Sequence, residues 1–468
     1  MIEQQEWIAP DVFEQRVIAA FRNADLPLGG YACARGVHYV FVGSAGAYVL
    51  SRRLDAERRT PAFSQWFPLL SWDEREMRDE WRVDVEHLPD NRPLRGHGSA
   101  MPAAVVANGV GLMHIVVGPV HAGIIEPGRF TISSGGETVV HLDAQLSYSH
   151  RGVEPRLAGM PAFDAARFVA RICGSCSAAR SYAYAHALEM SADVVIDDRT
   201  HLARLIVAEL ERIYNHVADL AASAAGAGWG PGFANGMALK ERVMRLCKLA
   251  GGHRLLFDAI VPGGVSAMTL RDPARLRAEL RPVRIAVEAY LKGLFGNTSL
   301  LSRWHRTGIV ARDAARAFGA VGPTHRAAKG EIDIRVFAPY GAYRQLPVQV
   351  ARASSSDVFA RCRIKGDEIR TSFHLIAEAL AQLGDSPPPP PQAFVVPPGT
   401  TIGVVEGPRG AETIAAHVDE TGRLERLHVI SASYRNWPLV ARAMDGNIIP
   451  DFPLVNKSFN LCYACVDR

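Results

Sequence analysis

Four of the seven cysteines form two Cys-x-x-Cys pairs, Cys173-Gly-Ser-Cys176 and Cys462-Tyr-Ala-Cys465, at opposite ends of one long stretch. Two intervening residues let both sulfurs of a pair point the same way, so each pair suits a soft metal ion held from a single turn. A zinc ribbon places its pairs roughly 15–20 residues apart. Here a whole domain separates them, and the tertiary fold must close the site. The second pair lies three residues from Arg468, so the end of the chain is expected in the interior rather than frayed. Cys33, Cys247 and Cys362 stand singly and read as small buried side chains in a reducing compartment.

The elements that must position these thiols come from a chain of 468 residues, 48% hydrophobic and 21% charged, enough for a large core and two or more domains. A formal charge of +4 without a long Lys/Arg block gives no reason to expect a nucleic-acid partner. The first residues, Met1-Ile-Glu-Gln-Gln-Glu-Trp-Ile, lack the basic and apolar regions of a secretory signal. Two uncharged stretches, Met101 to Ile125 and Leu220 to Leu239, are broken by Pro, Gly, His or Asn and lack the sustained apolarity of a bilayer helix. Membrane association is therefore expected only through partners.

Tyr39 to Leu50 reads as a strand, and Ser71-Trp-Asp-Glu-Arg-Glu-Met-Arg-Asp-Glu-Trp as a charged helix with a Ser cap. His87 to Ser99, rich in Pro, Gly and His, reads as a linker. It places a boundary between residues 1–95 and 96–468. Beyond it, strands are expected at Gly111 to Val117 and Phe130 to Leu142. A buried helix face is marked by Leu202, Leu205, Ile206, Leu210, Ile213, Tyr214 and Val217. Helical patterns follow at Asp272 to Leu294, Arg312 to Phe318 and Asp357 to Leu383. Pro387 to Pro391 form a stiff connector. Strands at Thr401 to Val405 and Leu427 to Ser431 follow.

Arg171-Ile-Cys-Gly-Ser-Cys and Cys462-Tyr-Ala-Cys-Val-Asp-Arg resemble the two signatures of nickel–iron hydrogenase large subunits. Between and around them, Gly118-Pro-Val-His, Glu126-Pro-Gly-Arg-Phe, His150-Arg-Gly-Val-Glu, Gly322-Pro-Thr-His-Arg-Ala with Asp333 and Arg335, Glu406-Gly-Pro-Arg-Gly and Asn436-Trp-Pro resemble, in order, the membrane-bound, complex I-related type found in formate hydrogenlyase. Phe67-Pro-Leu-Leu-Ser-Trp-Asp-Glu-Arg-Glu-Met-Arg-Asp is similar to the small peripheral-arm subunit of respiratory complex I. The resemblance implies an α+β protein: a small N-terminal α+β domain (1–95), then a mainly helical large-subunit domain with peripheral strands (96–468).

The same resemblance implies a nickel–iron centre with cyanide and carbon monoxide on the iron, and reversible oxidation of H2 to protons. Cys173 and Cys462 would bind nickel terminally, and Cys176 and Cys465 would bridge to iron. Glu126 would relay the proton, and Arg409 would overhang the metals as a fixed cationic donor. Arg180 stands where the family usually has histidine; its guanidinium donates to a bridging sulfur but cannot shuttle a proton. Arg129 replaces another common histidine, and Asn460-Leu461 the usual Asp-Pro. His121, His150 and His216 read as structural histidines. With no further cysteine cluster, electrons would pass to a small iron–sulfur partner subunit, with membrane subunits beyond it. The chain would then sit on the cytoplasmic face of the inner membrane. The rival reading is a complex I-like redox or ion-coupling subunit; the complex I core subunit lacks the four cysteines. A structural zinc site is the third reading. In the family a protease often removes a C-terminal extension after the position of Arg468; here the sequence stops at that residue, and metal insertion without cleavage is expected.

Overall fold

The central element is the helix Asp198–Gly226, started by the Asp197 carboxylate, which accepts the N–H groups of Arg199 at 2.9 Å and Thr200 at 3.3 Å. The seven apolar positions read from its sequence are all buried. The helices Gly230–Gly251 and Val358–Leu383 pack along it, and Pro273–Phe295 lies outside the first of these. Asp272 and Asp357 sit one residue outside the helices expected to begin with them. Their carboxylates cap the N–H groups of Arg275 and Ala360, both at 2.9 Å. The computed structural model describes residues 5–23, 26–43, 45–95, 101–121 and 125–468. The expected boundary between residues 95 and 96 borders a segment, 96–100, that lies outside the described residues.

Among the described residues, three mainly antiparallel sheets of three or four strands accompany the helices. The first is a four-stranded sheet in the order Gln5–Trp7, Gly46–Arg53, Gly36–Gly43, Leu26–Ala32, whose first pair is parallel. The single strand expected over Tyr39 to Leu50 is thus a hairpin. Its apolar run continues on both sides of the reversal, so periodicity alone did not reveal it. Both faces of this sheet are covered. Ala32, Val37, Tyr39, Phe41 and Leu50 pack with the helix Pro10–Arg22, while Tyr31, Val40, Val42 and Val49 join the main core. Alternate residues of a strand point to opposite faces, and here each face finds its own apolar partner.

The second unit is a meander of Leu112–Val117, Arg129–Gly135 and Thr138–Gln145; the expected strand from Phe130 to Leu142 is again a hairpin. The third is a meander of Gly399–Gly407, Gly410–Val418 and Leu424–Ile430. Its middle strand was not read from the sequence. Ser71 is the first residue of the helix Ser71–Trp81, not its cap. A 3-10 turn over Pro68–Leu70 leads straight into the helix, and no side chain caps it. Among the described residues, no helix is long and apolar enough to cross a membrane.

Candidate metal centre

The first cysteine pair occupies the turn before the helix Ser177–Ser191, with Cys176 at its N-cap. Ser175 donates its backbone N–H to Cys173 Sγ at 3.4 Å. The helix's free N–H groups at Ala178 and Ala179 are taken by Glu211 of the central helix, at 2.6 and 2.9 Å. Burial pushes the Glu211 carboxyl up to about 8.

The second pair arrives on a tail that turns sharply. The helix Phe452–Phe459 ends at Asn460 in the left-handed region, φ 50°. Ser433 Oγ then accepts the Cys462 N–H at 3.0 Å, and Trp437 Nε1 donates to the Cys462 carbonyl at 3.4 Å. The last residues form a short helix, Ala464–Asp467, and Arg468 is only 1% exposed. The Arg468 guanidinium reaches the carboxylates of Glu154, at 3.2 Å, and Glu76.

The tail and the first pair are joined by one side chain. Arg151 Nη2 donates to the Ile172 carbonyl at 2.6 Å and to the Ala464 carbonyl at 2.8 Å, so a single guanidinium holds both cysteine segments. The Arg151 N–H also donates to the Asp467 carbonyl at 3.0 Å, and His150 Nδ1 lies 3.1 Å from that oxygen. The sequence His150-Arg-Gly-Val-Glu is therefore the clasp of the tail, with Glu154 as its far end.

Sulfur atoms of Cys173, Cys176, Cys462 and Cys465 all lie within 4.8 Å of one another. The Sγ atoms of Cys176 and Cys465 are 3.3 Å apart. Protons are shared unequally among them. Hydrogen bonds from neighbouring thiols, Cys173 first, hold Cys465 at about 7 and Cys462 well below the ordinary thiol range. Cys176 is pushed up, first by its bond to Cys173. Thiolate is the ligand form of cysteine, and the C-terminal pair reaches it most readily.

Arg180 and Arg409 supply positive charge. Arg180 Nη2 lies 3.3 Å from Cys465 Sγ, 3.8 Å from Cys176 Sγ and 2.9 Å from Glu412 Oε2. Its Nε and Nη1 are buried without a protein acceptor. Arg409 donates from Nε to the Asn460 carbonyl at 2.5 Å and from Nη1 to Asn215 Oδ1 at 3.0 Å, and its charge acts on Cys462, Cys176 and Cys173. The Gly322-Pro and Asn436-Trp-Pro motifs set its backbone. Asn436 Nδ2 donates to the Arg409 carbonyl at 3.2 Å, and a Cβ on Gly322 would come within 2.5 Å of that same oxygen, so only glycine fits.

Glu126 is half-buried on the segment that packs against Tyr463, and its charge acts on Tyr463 and Asp467. Asp467 is pushed up to about 7, by burial first and then by Glu126. Arg129 has a buried Nε without a protein partner. His121 Nε2 is 2.7 Å from the Gly128 carbonyl, and His216 Nε2 is 2.8 Å from Glu368, so each is tied to the chain through one ring nitrogen. Glu211, Glu412 and Arg151 were missed as members of this site. Glu412 lies on the unread strand, and Arg151 does its work through carbonyls far away in sequence.

Four sulfurs within one ion's reach, partly thiolate and beside a guanidinium with free donors, fit a soft metal centre carrying further acceptor groups. The family model described as "Respiratory-chain NADH dehydrogenase, 49 Kd subunit" matches residues 228–391 and 390–468. Formate hydrogenlyase subunit 5 of Escherichia coli (strain K12) is 26% identical over 96% of this chain and 84% of its own length. Hydrogenase-4 component G of the same organism is 28% identical over 96% and 83%. Among solved structures, a chain of the membrane-bound sulfane sulfur reductase, an archaeal respiratory membrane complex, superposes with a TM-score of 0.71 at 22% identity, covering 76% of this chain and 99% of its own. That likeness establishes the shared α+β fold. The chain belongs to the family of the respiratory-chain NADH dehydrogenase 49 Kd subunit.

Proposed function

We propose that this chain is the catalytic large subunit of a membrane-associated nickel–iron hydrogenase, interconverting H2 with protons and electrons. The observation that carries the reading is the convergence of four sulfurs from residues 173–176 and 462–465. The names of the formate hydrogenlyase and hydrogenase-4 relatives support it.

On this reading Cys173, Cys176, Cys462 and Cys465 would hold nickel and iron, with Cys176 and Cys465, whose sulfurs approach to 3.3 Å, as the pair that would be shared between the metals. When bound, the pair of metals supplies the electron-accepting centre at which H2 is polarised and split. The chain's own residues do the rest. Cysteine thiolate accepts the released proton, and Glu126, beside Tyr463 and Asp467, takes it outward. Arg180 donates to the sulfurs of Cys465 and Cys176 and has two further buried nitrogens, Nε and Nη1, that would be available to acceptors brought by the bound metals. Arg409 holds its positive charge over the thiolates, fixed by Asn215 and the Asn460 carbonyl. Cys173, Cys176 and Cys465 are buried and Cys462 is half-buried, so water has little access to the first three.

Residues 1–95 would form a peripheral-arm-like domain and 96–468 the large-subunit-like domain; the separate apolar cluster around the helix Pro10–Arg22 supports that division. Electrons would leave through an iron–sulfur subunit, and membrane subunits would hold the chain at the cytoplasmic face.

A second reading is favoured by the matched family itself, described as a subunit of an NADH dehydrogenase: a redox or ion-coupling subunit without hydrogen turnover. Metal content separates the two. Anaerobically purified protein with its partners should contain nickel and iron, show infrared bands of bound cyanide and carbon monoxide, and exchange H2 with D2O. Protein with neither metal would support the second reading, and zinc in a four-sulfur shell would mark a structural site.

A further inference from the structure

A second group of soft ligands lies where the N-terminal sheet meets the strand Gly410–Val418. Cys33 directly follows the first strand of the hairpin Leu26–Ala32/Gly36–Gly43, His38 lies on its second strand, and His417 comes from the C-terminal meander. Ligand atoms of these three residues all lie within 4.8 Å of one another. The side chains are 5%, 0% and 5% exposed.

Each ligand is already turned to its task. His38 Nε2 is 3.2 Å from Cys33 Sγ, while its Nδ1 is anchored at 2.9 Å by Ser51 Oγ. His417 Nε2 is 3.0 Å from Tyr31 Oη, while its Nδ1 is anchored at 2.9 Å by Thr400 Oγ1. Metal-binding histidines commonly have their second nitrogen held in this way. Cys33 Sγ accepts the backbone N–H of Arg35 at 3.3 Å, a bond that stabilises a thiolate. In a tetrahedron with Zn–S of about 2.3 Å and Zn–N of about 2.0 Å, the sulfur–nitrogen edge is about 3.5 Å, so the Cys33–His38 pair needs to open only slightly. The two cations facing the group are each engaged elsewhere: Arg426 by Glu154 at 3.2 Å and Arg35 by Glu425 at 2.6 Å.

We propose that Cys33, His38 and His417, with Tyr31 Oη closing the fourth position, bind one structural zinc ion that staples the N-terminal sheet to the C-terminal meander. Borderline-soft Zn2+ suits one thiolate with two imidazoles, and the absence of an open position in so buried a group marks a structural rather than a catalytic role. Binding displaces the Cys33 thiol proton to solvent, leaves both imidazoles neutral and takes Tyr31 as the neutral phenol, whose proton stays on its oxygen. The exposed turn at Ala34-Arg35 gives the ion a way in.

The test is zinc K-edge absorption and elemental analysis on the full-length protein. About one zinc per chain with one sulfur and two or three nitrogen or oxygen neighbours is expected, and it should persist in Cys173→Ser. Cys33→Ala and His417→Gln should each lose the zinc and lower the melting temperature, leaving nickel and iron per folded molecule unchanged. Zinc missing from the wild type, a four-sulfur zinc shell, or zinc retained in both variants would overturn the proposal. The absorption measurement needs no variant, so misfolding of either substitution leaves the test intact.

Discussion

Two buried polar regions share the central helix and differ in one respect. Around Glu368 each charge has an opposite partner, although Arg326 Nε and His216 Nδ1 lack a hydrogen-bond partner. Arg326 Nη1 reaches Glu406 at 2.9 Å and Asp333 at 3.3 Å, and Arg326 Nη2 reaches Glu368. Arg335 pairs with Asp333 at 2.8 Å and Glu209 at 3.2 Å. Lys365 meets Asp219 at 2.7 Å; burial would raise the Asp219 carboxyl, but Lys365 holds it well below the usual range. Around the cysteines the reverse holds. Four thiols crowd together, two of them drawn toward thiolate, and Arg180 keeps two donors without a protein acceptor. A region whose charges are matched internally is scaffold. One whose donors and thiolates exceed their internal partners is built to receive something from outside.

The comparison is easiest to break at the cysteines. Cys465→Ser should abolish both nickel retention and H2/D2O exchange in otherwise folded protein, because serine offers no soft thiolate; elemental analysis with full metal content would show that the cluster is not the metal centre. Next in size, Glu126→Gln should keep nickel and iron yet slow exchange by about 10²- to 10⁴-fold, the usual contribution of a general acid–base. Unchanged exchange would remove Glu126 from the proton path.

On the scaffold side, Arg326→Met leaves Glu368, Asp333 and Glu406 without their shared cation and should cost about 3–5 kcal/mol of stability, read as a lower denaturation midpoint. Metals per folded molecule should be unaffected; selective metal loss instead would merge the two regions into one functional unit. Arg180→Lys keeps the charge but loses the fork, and should reduce activity or metal affinity by about 10- to 100-fold. Smallest of all, Glu74 tests how far burial alone governs a carboxyl. It accepts the N–H groups of Phe63 at 2.7 Å and Ser64 at 3.1 Å, and burial raises it from 4.5 to about 7. Between those values the folded form stays protonated while the unfolded form ionises. The contribution of Glu74 to stability should therefore fall as pH rises from about 4.5 to 7 and level off above. In Glu74→Gln that slope should become shallower without vanishing, because Asp73, Glu412 and Asp467 are also raised by burial, as a melting-temperature series across the window would reveal.

Much of the helical framework was legible because a 3.6-residue period over a long stretch is a strong local signal. The carboxylates Asp272 and Asp357 marked helix starts to within one residue, since capping is also local. Strand reversals were not legible. The two strands within Tyr39 to Leu50 are apolar on both faces because both faces of their sheet are buried, which erases the alternation and leaves Gly43-Ser-Ala-Gly as the one mark of the turn. The same loss hid the strand Gly410–Val418, and with it Glu412 and His417.

By itself the sequence determined the ligand chemistry: which residues are thiols, how each pair is spaced, and that the two pairs needed a fold to meet. Only the tertiary structure decided what surrounds them. Arg151 holds both cysteine segments through the carbonyls of Ile172 and Ala464, and Glu211 caps the helix after Cys176 from another helix. Those contacts join residues up to 313 positions apart. A hydrogen bond or ion pair depends on separation in space, and no local pattern along the chain encodes which distant carbonyl a guanidinium will meet.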